Sequence, residues 1–138
     1  MTVTAIPYWT KGLDHVVLRA KDIDKMLDFY SNVLGLPVSK HNESLGLWHL
    51  QAGHSMIDLV DMNGPAGQAG GPPPGAARNV DHIALKIEPF DAEALCAYFA
   101  RQGVSVDNIQ TRFGADGNGP SIYLRDPEGN GVELKGAV

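Results

Sequence analysis

Two histidines stand inside one repeated phrase: Asp14-His15-Val16-Val17-Leu18 returns as Asp81-His82-Ile83-Ala84-Leu85. Each phrase alternates apolar and polar residues with the period of a half-buried strand. Two carboxylates have a matching context, Asp58 between Ile57 and Leu59 and Glu133 between Val132 and Leu134. A strand carboxylate flanked by apolar residues points to the face opposite its neighbours. If two such modules pair about an approximate two-fold axis, both imidazoles and both carboxylates meet in one cavity. Four inward polar groups are costly to bury unless they are paired or bound to a cation. Neutral imidazole accepts borderline ions and carboxylate lowers the net charge, so the set suits one divalent first-row metal: Fe, Mn, Ni, Co or Zn. Incomplete protein coordination would leave positions for water or substrate oxygens, as catalysis requires.

The elements that must position these residues repeat with them. After the first phrase Asp22 caps a predicted helix carrying Ile23, Met26, Leu27, Tyr30, Val33 and Leu34, and Gly35 ends it. Short strands follow at Pro37 to Lys40, Leu45 to Gln51 and, beyond a Gly53-His54 turn, Ser55 to Val60. After the second phrase Asp91 caps a helix with Leu95, Tyr98 and Phe99 on its buried stripe, and Gly103 ends it. Strands are predicted at Val104 to Ile109, Ser121 to Arg125 and Gly131 to Lys135, the last two joined by the turn-forming Asp126-Pro127-Glu128-Gly129-Asn130. Phrases, caps and closing glycines recur at nearly one interval, which marks an internal duplication.

The expected organisation is α+β: a single domain over residues 1–138 made of two βαβββ modules, residues 12–62 and 80–136. Between them residues 63–79 form a Gly- and Pro-rich linker, expected to be exposed. A net charge of −5 speaks against nucleic acid as a partner. No run approaches the ~20 apolar residues of a membrane span, and the opening MTVTAIPYWTKG lacks the pattern of a secretory signal. With Cys96 as the single cysteine, the expectation is a cytoplasmic protein without internal disulfides, and Cys96 reads as helix packing.

Other residues carry weaker signals. His41, His49 and His54 have no repeat partner and read as solvent-facing, although His49 beside Trp48 would line a pocket wall. Trp48, Tyr123 and Arg125 are substrate-contacting candidates, with an Arg125–Asp126 pair as the structural alternative for Arg125. The segment Gly114 to Gly119 lacks the lysine and hydroxyl of a nucleotide loop and reads as a mobile lip over the cavity.

The chain resembles the vicinal oxygen chelate superfamily, which includes glyoxalase I, extradiol dioxygenases, fosfomycin-resistance enzymes, methylmalonyl-CoA epimerase and bleomycin-binding proteins. The resemblance covers nearly the whole chain. It is carried by Leu13 to Leu18, by Asp28-Phe29-Tyr30 with Leu34-Gly35-Leu36, by Val80 to Leu85, and by Tyr123 to Leu134. It implies two βαβββ modules forming a curved eight-stranded mixed-sheet cavity, and metal ligands at His15, His82 and Glu133. Asp58 falls where glyoxalase I-like members carry a fourth ligand, usually the longer glutamate.

The resemblance further implies a small oxygen-bearing substrate and a homodimer, with modules paired within one chain or exchanged between two. The first functional expectation is a glyoxalase I-like (lactoylglutathione lyase-like) isomerase or lyase in which Glu133 or Asp58 shuttles a proton. An apolar cavity would have to raise that carboxylate's basicity. One alternative is an extradiol ring-cleaving dioxygenase, whose members add an acid–base histidine and tyrosine; Tyr123 would serve, and no partner histidine stands out. Epoxide opening as in fosfomycin resistance would draw its anion contacts from Arg112, Arg125 or Lys135. The other alternative is a non-catalytic, bleomycin-resistance-like binding protein, and the complete His15, His82 and Glu133 set counts against it.

Overall fold

The computed structural model describes residue 7, residues 9–72, residue 75 and residues 78–137. The first module runs β1 (His15–Ala20), α1 (Ile23–Leu27), a π-helical continuation (Asp28–Val33), β2 (Val38–Asn42), β3 (Leu47–Ala52) and β4 (Ser55–Asp61). A short helix, α2 (Pro65–Ala69), leads to the second module of β5 (His82–Ile87), α3 (Ala92–Arg101), β6 (Gln110–Gly114), β7 (Gly117–Arg125) and β8 (Gly131–Gly136). Two four-stranded mixed sheets result, ordered β1-β4-β3-β2 and β5-β8-β7-β6. In each, the first strand lies parallel to the last and the others pair antiparallel. Among the described residues no helix is long and apolar enough to cross a membrane.

Both helix caps form as the residue types dictate. Asp22 accepts the backbone N–H of Lys25, Asp91 that of Ala94, and Gly35 and Gly103 take the positive φ that ends each helix. The first helix departs from expectation at Asp28, where the spiral widens. Leu34 N–H donates to Phe29 O, five residues back, and both Phe29 and its neighbour Tyr30 are buried.

Two further departures lie in loops. Residues 104–109 are not a strand, although Val104 and Val106 pack on the core with the alternation that suggested one; pairing starts at Gln110. Gly114 to Gly119 is the tip of the β6–β7 hairpin, with Gly114 opposite Gly117 and Arg112 opposite Gly119, rather than a free lip. The Gly- and Pro-rich stretch is likewise docked over its first part. Gly67 is buried, a Cβ there would lie 2.0 Å from Asp61 O, and the Arg19 guanidinium donates to the carbonyls of Gly67, Gly71 and Pro72.

One hydrophobic cluster spans both modules. Met26, Phe29, Tyr30, Leu50, Ile57 and Leu59 join Phe99, Ile122, Leu124, Val132 and Leu134. Polar bonds cross the same boundary. Tyr30 Oη donates to buried Asp126 at 2.7 Å, Tyr98 Oη donates to Val33 O at 2.6 Å, and the Glu128 carboxylate accepts the N–H groups of Lys21 and Asp22. Asp126 also accepts the N–H groups of Glu128 and Asn130. The Asp126 to Asn130 turn is therefore a clasp between modules as well as a hairpin connection.

A hydrogen bond to a buried charge contributes about 1.5–3 kcal/mol and one to a neutral carbonyl about 1 kcal/mol. Tyr30→Phe is expected to lower stability by about 2 kcal/mol and Tyr98→Phe by about 1 kcal/mol, read from urea midpoints. Equal costs would show that the Asp126 contact adds nothing beyond a neutral bond.

Candidate metal centre

Strand pairing puts each histidine beside a carboxylate. In the parallel β1–β4 pair His15 stands opposite Met56, two residues before Asp58; in β5–β8 His82 stands opposite Gly131, two residues before Glu133. The duplication thus extends to strand register. Ile57 and Leu59, like Val132 and Leu134, face the shared core, so Asp58 and Glu133 lie on the opposite sheet faces with the histidines.

Each imidazole is held the same way. His15 Nδ1 lies 2.7 Å from Asp14 Oδ1 and His82 Nδ1 lies 2.7 Å from Asp81 Oδ2. A carboxylate that accepts Nδ1–H turns Nε2 outward as the free donor atom, a common arrangement behind metal-binding histidines. Nε2 of His82 is 3.1 Å from Glu133 Oε1, and Nε2 of His15 is 4.0 Å from Asp58 Oδ2. The Asp14 carboxylate raises His15 above its ordinary value, with partial burial opposing and Asp58 assisting.

Glu133 is buried and accepts hydroxyls from Ser121 and Tyr123, both at 2.7 Å. Burial alone would push its carboxyl up, but these two hydroxyls together with His82 outweigh it and hold Glu133 below the ordinary carboxylate range. That corrects the expectation of a raised basicity for this residue: the cavity wall around it is polar. Tyr123 is moved the other way, by desolvation and by the Glu133 charge.

Asp58 is also buried, yet its Oδ1 has no hydrogen-bond partner among the described residues. His49, across β3 in register with Asp58, brings Nδ1 to 3.0 Å from Oδ2 without an aligned hydrogen bond. A buried, under-satisfied carboxylate facing two imidazoles fits a cation, which would satisfy the lone pairs that protein donors leave open. The donor set fits as well, since two ligands about 2.1 Å from one ion stand at the close separations seen in these pairs. Within one chain, however, the described residues contain no group of three or more His, Cys, Asp or Glu side chains able to hold an ion. The four expected ligands form two half-sites, His15 with Asp58 and His82 with Glu133.

The remaining candidates divide by face. Trp48 pairs with Leu59 on the core side of β3 and stacks on His41 with ring centroids 4.1 Å apart, so it stands away from Asp58. His49, one residue on, has the opposite orientation and stands beside Asp58. Tyr123 lies edge-on to His82 and bonds Glu133. Arg125 donates to Gly129 O rather than pairing with Asp126, and with His82 and Tyr123 it lines a cavity of about 870 Å³. Sequence reasoning offered His49 only as a pocket-wall alternative to a solvent-facing residue and did not single out Ser121. Counting outward from the Gly53-His54 turn pairs Ala52 with Ser55 and hence His49 with Asp58, so a signal for His49 existed. Ser121 needed the β7–β8 register.

Comparison with known proteins bears on the family and the fold. The family model of the Glyoxalase/Bleomycin resistance protein/Dioxygenase superfamily matches residues 12–134. Virulence protein STM3117 of Salmonella typhimurium is 31% identical over 125 residues, covering 88% of this chain and 81% of that protein. Among solved structures, an integron cassette protein from the mobile metagenome of Vibrio cholerae superposes with a TM-score of 0.73 at 27% identity, covering 96% of this chain and 100% of that one. A lactoylglutathione lyase from Agrobacterium tumefaciens shares the fold at a TM-score of 0.65 and 22% identity, over 92% and 94% of the two chains.

In metal-free protein, carbon-13 titration of the Glu133 carboxyl is expected to fall below the ordinary glutamate range, and Ser121→Ala to move it upward. A depressed folded value means that Glu133 stabilises the fold fully above the ordinary range and loses that contribution as pH falls through the folded value. A carboxyl titrating above the ordinary range would show that burial outweighs the hydroxyls.

Proposed function

The chain belongs to the Glyoxalase/Bleomycin resistance protein/Dioxygenase superfamily, and from that membership we propose that it is a divalent-metal-dependent enzyme acting on a small substrate with neighbouring oxygens. The observation that carries the reading is the equivalent His15–Asp58 and His82–Glu133 pair in each module, with the Asp58 carboxylate buried and incompletely satisfied. His15, Asp58, His82 and Glu133 would hold the ion, with Asp14 and Asp81 fixing the imidazoles. When bound, the ion supplies a Lewis acid that polarises substrate oxygens and stabilises developing negative charge.

Each chain presents its half-sites on sheet faces turned away from the common core. We assign the missing half to a second copy, the first module of one chain closing on the second module of its partner. Half-exposed Val17, between His15 and Arg19 on the open face of β1, supports a covered surface there. Homodimers with such reciprocal contacts are the commonest oligomers.

The first reaction proposed is a glyoxalase-like isomerisation. Asp58 is the better base, since Glu133 accepts two hydroxyl hydrogen bonds whereas Asp58 keeps a free oxygen. It would take the proton from the carbon next to a substrate carbonyl and return it to the neighbouring position, with His49 beside it to share the charge. A second reading is favoured by one observation. His49 and Tyr123, from the two modules, both flank the half-sites and supply the histidine and tyrosine that an extradiol dioxygenase requires. In that case Tyr123 and His49 would take and deliver the protons of a catechol.

Protein purified without chelator is expected to carry a near-stoichiometric divalent ion, lost in both His15→Ala and His82→Ala. Mixing these inactive variants should restore about a quarter of the activity, because half of the random dimers carry one intact site. Unchanged metal in both variants would end the metal reading, and absence of rescue would place both half-sites in one chain. Turnover of the methylglyoxal–glutathione hemithioacetal with Ni or Zn supports isomerisation, and oxygen uptake with Fe and a catechol replaces it.

A further inference from the structure

A second concavity lies on the other side of the first sheet from the His15–Asp58 pair. It measures about 410 Å³ and opens between the first helix and the β2–β3 edge. Trp48 forms one wall, on the sheet face that Leu59 shares, and its stack on His41 fixes the indole plane. Asp24, Asp28 and Ser31 come from successive helical turns, spaced to share one face, and form the opposing wall with Asn32. Leu27 and Val38 supply the apolar surface, and no lining residue is basic.

Among the described residues no ammonium or guanidinium pairs with Asp24 or Asp28; Lys25 leans to Asp22 at 4.0 Å instead. The Asn32 amide donates to Asp28 Oδ1 at 2.9 Å, which orients that carboxylate and leaves its other oxygen open. The duplication shows that the fold does not require this set. From cap to closing glycine the first helix runs 35 − 22 = 13 positions and the second 103 − 91 = 12. The π-helical widening from Asp28 to Val33 takes up the additional residue in the turns that line the cleft, and such bulges concentrate at functional sites. The caps lie 91 − 22 = 69 residues apart, so Asp28 corresponds to Ala97 on the regular helix α3. Matching Asp58 with Glu133 aligns Trp48 with Ile122, which is fully buried. Core positions repeat between the modules, as Tyr30 does with Phe99, whereas the carboxylate and indole of the cleft belong to the first alone.

We propose that this cleft binds a small organic ammonium ion. The charged head lies between Asp24 and Asp28 and against the Trp48 indole, whose ring attracts cations more strongly than other aromatic side chains do. The hydrocarbon part rests on Leu27 and Val38. The cavity has the size of a small-molecule site. Two carboxylates without a lining cation repel an anion, and a bare metal ion gains nothing from the apolar wall. This site goes beyond the metal-centred reading and does not depend on it, because Trp48 and Asp58 lie on opposite faces of the sheet.

The test titrates the full chain with choline and with its neutral isostere 3,3-dimethyl-1-butanol. The indole N–H resonance of Trp48 is followed in a Trp9→Phe background, which leaves one tryptophan. Choline is expected to shift that resonance saturably, and the neutral isostere to bind about tenfold more weakly. Asp24→Asn combined with Asp28→Asn keeps side-chain shape at two exposed positions and should weaken choline binding about tenfold. Glu93→Gln, at the corresponding turn of α3, should leave it unchanged, as should prior chelator and His15→Ala. Equal binding of choline and its isostere, an unmoved Trp48 resonance, or unchanged affinity in the paired aspartate variant overturns the proposal. So does an equal loss in Glu93→Gln, which would reduce the effect to overall charge. Absence of metal from wild type with choline binding intact would defeat the metal reading alone.

Discussion

In each module the first strand lies parallel against the last, and that single pairing brings the histidine of one to the carboxylate of the other. His15 reaches Asp58 and His82 reaches Glu133 only because β1–β4 and β5–β8 share one register, with the carboxylate two residues beyond the histidine's partner. A slip by one residue would turn either carboxylate into the core and an apolar neighbour out of it. The register is held by the strength of that exchange: Ile57, Leu59, Val132 and Leu134 are all buried in the common cluster.

The helices decide where those faces end up. Because Met26, Phe29, Tyr30 and Phe99 pack with the inner faces of both sheets, one core serves both modules, and the polar faces are left on the outside of it. The Tyr30–Asp126 bond and the grip of Glu128 on the Lys21 and Asp22 amides fasten this arrangement. The duplicated chain is thereby held as one body, with its two His–carboxylate pairs on separate faces turned from the core.

The two halves are not chemically equal. Glu133 accepts hydrogen bonds from Ser121 and Tyr123, which with His82 hold its carboxyl below the ordinary range. Asp58 has an oxygen without a hydrogen-bond partner among the described residues and a histidine on either side. Duplication supplied equivalent positions, and divergence of the flanking strands gave them different surroundings. The same divergence put Lys135 in the second module where the first has buried Val60, each two residues beyond the carboxylate of its strand.

Much of this was legible in residue order. Repeated Asp-His phrases, Asp caps, closing glycines and apolar-flanked carboxylates report local rules of periodicity and hydrogen bonding, so they identified the modules, the family resemblance and all four half-site residues. Trp48 and His49 show the limit. Both lie on one strand one residue apart, and only knowledge of which face the core covers tells them apart. Residues 104–109 failed for a related reason, because side-chain alternation records what packs inward, not whether a neighbouring backbone is there to pair. The sequence alone determined which histidines and carboxylates stand among apolar neighbours at repeated strand positions, since their contexts are local. Tertiary structure decided that they stand as two outward half-sites with a buried lysine beside one of them, because the packing of two sheets about shared helices depends on contacts far apart in the chain.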